Sequence, residues 1–228
     1  MLFRSATLPW SFTSYQQARQ VIDTTGGAYY AKLLEAKGIT YLGSFHNGFR
    51  QLTNSKHPVT KPEDLKDLKI RVPGSAVYMG VFNALGASPT AMSWSEVFTA
   101  IQQKTIDGQE NGCSVTKSAK MDEIQQYMTI WNYSYENDLF VANSRVWESL
   151  DENTRQLLQE CATESCEWGR DHLEAEEDQL IQGFMDSGMQ VDILTEDQLQ
   201  AFKDAVAGVT AELKAEYGED ACAAFGIN

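Results

Sequence analysis

Residues 68–111, LKIRVPGSAVYMGVFNALGASPTAMSWSEVFTAIQQKTIDGQEN, decide how the rest of the chain is read. The stretch opens as a short apolar strand whose run ends at a cation, Arg71. Pro73 and Gly74 interrupt it, and Val77, Val81, Phe82 and Leu85 then recur on one helical face. After Gly86 a second short segment leads to Ser93 and Glu96, spaced as a capping box for a helix carrying Val97, Phe98 and Ile101. The step TIDGQEN places Asn111 at the end of another strand-like run. Strand–helix alternation at this spacing predicts βαβ units and a largely parallel sheet, hence an α/β fold.

Ligands of open α/β sheets sit at the carboxyl ends of strands. An arginine leaving one strand and an amide leaving the next can converge there on a single anionic group. A guanidinium grips a carboxylate with two parallel hydrogen bonds, and an amide adds a donor and an acceptor without charge. Arg71 and Asn111 are therefore the candidate ligand pair, with Trp94 as a flat apolar wall. The bland alternatives are a surface ion pair for Arg71, a turn for Asn111 and a core aromatic for Trp94.

Working outward, residues 14–38, SYQQARQVIDTTGGAYYAKLLEAKG, carry apolar residues at helical spacing with a Gly-rich break at Gly26 and Gly27. Gly38 reads as the helix stop, with ITYLGSF as a buried strand after it. Residues 46–68 read as a polar crossing segment, stiffened by Pro58 and Pro62, with Arg50 near its start. Residues 128–144 are rich in β-branched and aromatic residues, a strand long enough to cross from one sheet to another. Residues 149–185 turn helical, and the acidic run at 174–178 reads as a solvated face, so that Glu174→Ala should change nothing. Gly188, the strand MQVDIL and a helix capped by Thr195 and Gln198 complete the chain to about Tyr217. Residues 1–6 show no usable pattern.

The chain has 228 residues, 43% of them hydrophobic, and a formal net charge of −14. That is enough for one large core or two small ones. The acidic balance speaks against nucleic acid as a partner, and an anionic ligand would need a local cationic clamp. No apolar run approaches the ~20 residues of a membrane span, and no export signal opens the chain. His46, His57 and His172 are scattered, no nucleotide or nucleophile motif appears, and no cofactor or metal site is expected, so an enzyme is disfavoured. Cys113, Cys161, Cys166 and Cys222 read as free thiols, with a Cys166–Cys222 bridge as the alternative.

Two long, ordered segments, GFRQLTNSKHPVTKPEDLKDLKIRVPG (48–74) and LGASPTAMSWSEVFTAIQQKTIDGQEN (85–111), closely resemble the solute-binding receptors of tripartite ATP-independent periplasmic (TRAP) transporters, the DctP type. The resemblance extends from about Leu8 to the C-terminus. It implies a two-lobed fold with crossing hinge strands and a long surface helix. Lobe I would comprise residues 1–48 and 138–176, lobe II residues 49–137, and residues 177–228 would pack on lobe II. It further implies an extracytoplasmic (periplasmic) receptor that captures a small organic acid, a C4-dicarboxylate or a sugar acid, and delivers it to the membrane subunits without inserting itself. Arg71 matches the arginine that clamps the ligand carboxylate, Asn111 its amide partner and Trp94 an aromatic against the ligand. Arg50 aligns with a second arginine used by some members, and Tyr133 with a polar ring contact. Two arginines would favour a dicarboxylate or a sugar acid over a simple monocarboxylate.

Two departures stand out. Gly112-Cys113 follows DGQEN where the family usually has proline, which predicts a looser backbone there. The family's export signal and first β-α-β portion have no counterpart, which predicts an amino-terminally truncated receptor with exposed sheet edges and apolar surface.

Overall fold

A computed structural model describes residues 5–227. Helix α1 (Tyr15–Val21) starts at Ser14, whose side chain accepts the Gln17 N–H, and continues through a π-helical turn, Ile22–Gly26, into α2 (Gly27–Glu35). The two glycines therefore loosen the helix rather than break it. Strands β1 (Ile39–Phe49) and β2 (Gln51–Asn54) follow, then β3 (Lys69–Val72), α3 (Ala76–Ala84), β4 (Ser88–Ala91), α4 (Trp94–Gln102), β5 (Gly108–Asn111) and α5 (Cys113–Ser118). The remainder is β6 (Tyr127–Ile130), β7 (Tyr135–Asn143), α6 (Ser144–Ser149), α7 (Glu152–Asp186), β8 (Gln190–Ile193), α8 (Glu196–Ala205), α9 (Ala207–Tyr217) and α10 (Glu219–Ala224).

Six strands form one sheet in the order β4-β3-β5-β2-β6-β8, and β1 pairs with β7 in a second. The larger sheet is mixed rather than largely parallel. The β3–β4, β3–β5 and β6–β8 pairs are parallel, but β2 runs antiparallel to both β5 and β6. The discrepancy lies in β2, which hides inside the apparent polar crossing segment. All four of its residues are buried. Its side chains are satisfied by distant partners: Gln51 bonds Asn132 and the Trp131 N–H, and Thr53 bonds Gln125 and Gln109. A buried polar strand holds when its groups are paired, and only folding brings these partners near.

Residues 128–144 do cross between sheets, but as two strands with a break between them. Asn132, in a left-handed conformation (φ 45°), makes the bend, which its own N–H and side chain tie to Gln51. The other crossing, from β1 to β2, is Arg50, and its N–H donates to the Ser134 carbonyl at 2.9 Å. The two crossings are thus bonded to each other. The main core is one cluster that takes in residues of α1 and α2, of the two-stranded sheet and of the six-stranded sheet, among them Phe12, Tyr30, Ile70, Val72, Phe82, Trp131 and Phe202. Among the described residues, β1 and β7 pair only with one another, and Phe45, Phe140 and Val141 are exposed.

Helix α7 has 35 residues, on the order of 50 Å at 1.5 Å per residue. Asp151 caps it, accepting the Thr154 N–H at 3.0 Å, and the shorter α6 precedes it as a separate turn. Ala162, Cys166, Arg170 and Phe184 form its buried stripe. At Gly43 of β1 a Cβ would stand 2.9 Å from the Cys166 sulfur, so glycine permits this approach. All four cysteines are free thiols, so Cys166 and Cys222 are not bridged. Ser93 precedes α4, but its hydroxyl bonds Ser95 and makes no cap, whereas the Thr195–Gln198 box forms as expected.

The acidic run is not simply solvated. Glu174 accepts from Arg19 Nε at 2.6 Å and bonds His46 Nε2 at 2.9 Å, tying α7 to α1 and β1. Burial lowers the pKa of His46 to about 4 against the pull of Glu174. Burial raises that of Glu177 to about 7, opposed by its hydrogen bond from Tyr15 and reinforced by Asp178 and Glu174. The two act in opposite directions. His46 withdraws stability as pH falls from the unfolded value of about 6.5 toward 4, because the unfolded chain then binds a proton the fold refuses. Glu177 withdraws stability as pH rises from about 4.5 through 7, because the unfolded carboxyl ionises first. Glu177→Gln should therefore raise the melting temperature at pH 8, by about 3–6 °C after solvent screening, and leave it nearly unchanged at pH 5. Equal shifts at both pH values would show that its ionisation carries no weight.

Candidate functional site

Strands β3 and β5 lie side by side and parallel, with Ile70 opposite Gly108 and Arg71 opposite Gln109. Arg71 and Asn111 therefore stand toward the carboxyl ends of neighbouring strands. Arg71 is 5% exposed. Its Nε and Nη2 both donate to the Met92 carbonyl, at 2.9 and 2.7 Å. Its guanidinium carbon lies 5.3 Å from the centre of the Trp94 ring. Two of the five N–H groups of the fork are used, leaving three. Among the described residues no carboxylate lies within ion-pair distance of this guanidinium. Burial pulls its pKa below the usual guanidinium range, with Glu110 opposing and Arg50 reinforcing that shift.

Asn111 is buried at the end of β5, and its Oδ1 accepts the Gly112 N–H at 2.9 Å. That leaves the amide Nδ2 as the free donor of the side chain. A proline at 112 would supply no such N–H. The backbone here is tight rather than loose: a Cβ at Gly112 would meet the Asn47 carbonyl oxygen at 2.4 Å. Gly112 thus lets the end of β5 approach β1 closely. Trp94, at the first turn of α4, is half-buried and covers one face of the Arg71 fork.

Arg50 and Tyr133 are brought together elsewhere, around a buried carboxylate. Arg50 donates from Nε to Glu110 Oε2 at 2.5 Å, and from Nη2 to Glu110 Oε1 at 2.9 Å and the Glu110 carbonyl at 2.7 Å. Its Nη1 donates to Glu136 Oε2. Tyr133, with no exposed surface, donates its hydroxyl to Glu110 Oε2 at 2.5 Å. The Tyr78 ring covers the Arg50 guanidinium at 4.9 Å. Burial raises the Glu110 pKa while Arg50 opposes it; burial also disfavours the Arg50 charge, but Glu110, Tyr78 and Glu136 outweigh it and push its pKa above the usual guanidinium range. Arg50 belongs to the chain crossing, Glu110 to the six-stranded sheet and Glu136 to the two-stranded one, so this cluster links the two sheets.

The sequence pattern alone does not single out Glu110 and Glu136. One signal was available, since a glutamate inside a strand of four buried residues requires a partner. A cleft of ≈ 560 Å³ between α2, β1 and α7 also contains an arginine, Arg170, but Asp23 neutralises it at 2.6 Å. Among the described residues, Arg71 is the buried arginine left without a carboxylate.

The family described as bacterial extracellular solute-binding protein, family 7 (DctP) matches residues 2–216. The chain is 33% identical over 199 residues to the 2,3-diketo-L-gulonate-binding periplasmic protein YiaO of Escherichia coli, covering 87% of this chain and 60% of that protein. It is 31% identical over 223 residues to the C4-dicarboxylate-binding periplasmic protein DctP of Rhodobacter capsulatus, covering 97% and 67%. The chain thus spans about 60 to 67% of the length of these relatives. A TRAP periplasmic solute-binding protein of Ralstonia eutropha, solved with (S)-2-acetolactate bound, superposes with a TM-score of 0.93 at 32% identity, covering 98% of this chain and 73% of that one. The fold is accordingly the two-lobed α/β fold of these receptors, with crossing strands and a long surface helix.

Proposed function

The chain belongs to family 7 of the bacterial extracellular solute-binding proteins, and from that membership we propose that it is the solute-binding subunit of a TRAP transporter, capturing a small organic acid outside the cytoplasm. The observation that carries this reading is Arg71, a buried guanidinium at a strand's carboxyl end with no carboxylate of its own among the described residues. A buried charge without a partner is costly, and a ligand carboxylate is the group that would compensate it. Arg71 would take the carboxylate on its three remaining donors, Asn111 Nδ2 would reach one of its oxygens, and Trp94 would form the wall.

Residues 49–137 would act as one lobe, and residues 1–48 with 138–176 as part of the other, with residues 177–228 packed on the first. Closure would turn about the bonded crossings at Arg50 and residues 131–134. The closed form would be what the membrane subunits read. The names of the relatives, one for a diketo sugar acid and one for C4-dicarboxylates, support an organic acid, and their periplasmic location supports the same compartment here. No step of this reading transforms the ligand.

Isothermal titration against a panel of small organic acids tests it, with NMR of the recovered compound to detect turnover. The expected result is saturable binding of an acid, unchanged on recovery. Trp94→Ala should weaken that binding about tenfold, through lost contact area and a fork no longer covered on one side. Absence of binding to every acid, or a chemically altered ligand, would overturn the proposal.

A further inference from the structure

We infer that the crossing at Arg50 is held by a proton-operated latch. Glu177 of α7 grips the Tyr15 hydroxyl, Tyr15 grips the last peptide of β1, and ionisation of Glu177 releases both. The inference rests on the reading of the two crossings as the hinge, and says what stiffens it. Tyr15 opens α1, and its hydroxyl oxygen accepts the Phe49 N–H at 3.3 Å. The same hydroxyl donates to the Glu177 carboxyl. Phe49 directly precedes Arg50, whose own N–H bonds the opposite crossing at the Ser134 carbonyl. One hydroxyl therefore connects the long helix to the root of the hinge.

The backbone is shaped for this contact. The pairing of β1 with β7 shifts register between His46 and Gly48, and Gly48 has a φ of 102°. A Cβ there would stand 3.1 Å from the Tyr15 hydroxyl oxygen and 3.6 Å from Leu173 of α7, so glycine permits the approach. The Tyr15 ring packs on His46 and Phe49, with ring centres 4.8 and 4.9 Å apart. Tyr15, Asn47, Gly48, Cys113, Leu173 and Glu177 surround a gap with no room for a water molecule.

Only the Tyr15 bond favours an ionised carboxylate at this gap. Glu177 is half-buried and makes no ion pair among the described residues. It faces Tyr15 from α1, Cys113 from α5, whose thiol burial keeps protonated, and Glu174 and Asp178 along its own helix. The cations of the neighbouring helices are engaged elsewhere, Arg19 with Glu174 and Asp171, and Lys117 with Asp122. His46 of β1 bonds Tyr135 and Glu174, and with a pKa of about 4 it is neutral from pH 6 upward. Glu177 titrates at about 7, and its charged form is better solvated turned outward, away from Tyr15. Below that pH the latch is shut, and above it the end of β1 is released from α7.

Amide hydrogen exchange of the ligand-free protein at pH 6 and pH 8, resolved by NMR and corrected for intrinsic rates, tests the latch. The Phe49 and Arg50 amides should open locally, and so be less protected than the Asp107 amide, which bonds the Lys69 carbonyl beside β5. Their protection should fall about five- to tenfold from pH 6 to pH 8, as expected after solvent screening for a carboxyl raised from about 4.5 to about 7. Glu177→Gln should abolish this dependence, whereas Glu176→Gln, on the exposed face beside His172, should leave it intact. Tyr15→Phe keeps the ring and removes the link, so Phe49 should be poorly protected at both pH values. Protection at the crossing that ignores pH, that equals Asp107 at both pH values, or whose pH dependence survives Glu177→Gln would overturn the latch. So would full protection of Phe49 in Tyr15→Phe. The measurement needs no ligand, so a failed latch leaves the Arg71 anchor standing, and failure of that anchor is read separately by titration.

Discussion

Arg71→Met is expected to remove ligand binding, by at least about 100-fold in calorimetry, while the melting temperature of the ligand-free protein stays level or rises. Truncating one partner of a buried, hydrogen-bonded charge pair costs about 2–5 kcal/mol, and each 1.4 kcal/mol is a factor of ten in affinity. The stability result follows from the same geometry. In the ligand-free protein the guanidinium is 5% exposed, and its compensation is one carbonyl and one aromatic face. Methionine keeps the stem against Trp94 and removes the charge. A binding residue that costs the empty protein stability is the usual signature of a site held ready for its ligand. Arg71→Lys keeps the charge but loses the fork, and should weaken binding about tenfold or more. Full affinity in Arg71→Met would remove the anchor from the argument, and a fall in the ligand-free melting temperature by 10 °C would make it a structural arginine instead.

Arg50→Met should have the opposite profile: a large loss of stability, with any loss of affinity following from it. The substitution strips Glu110 of a two-oxygen ion pair in a position with no exposed surface, and strips Glu136 of one bond. Breaking one side of a buried pair costs about 3–5 kcal/mol, because the remaining charge cannot be solvated. For a chain of this size that is roughly 10 °C in melting temperature. The double variant Arg50→Met with Glu110→Leu removes both members and should recover much of the loss. If Arg50→Met instead melted like the parent and lost only affinity, Arg50 would be a ligand contact after all. The contrast between the two arginines is the most direct test of how the site is built, since both lie at strand ends and both are buried.

Most of the local architecture was legible in the chain itself. Strand β3 and helices α3 and α4 follow from apolar spacing interrupted by Pro73, Gly74 and Gly86, because such signals act between residues a few positions apart. The Thr195–Gln198 box was legible for the same reason, and it forms. The capping box at Ser93 shared that pattern and does not form, since the hydroxyl turns to Ser95. Strand β2 was invisible, because its polar residues are buried only by virtue of partners 56 to 81 positions away. The inward turn of Glu174 was missed on similar grounds, as Arg19 is 155 positions distant.

Returning to residues 68–111, the sequence by itself determined which groups leave the carboxyl ends of β3 and β5, because strand direction and the Pro–Gly stops are local properties. It could not say which of two arginines is free. That depended on Glu110 turning to meet Arg50 across 60 positions of chain, and on Glu136 arriving from a different sheet. Charge compensation in a protein interior is settled by proximity in space, and proximity between distant segments exists only once the chain has folded.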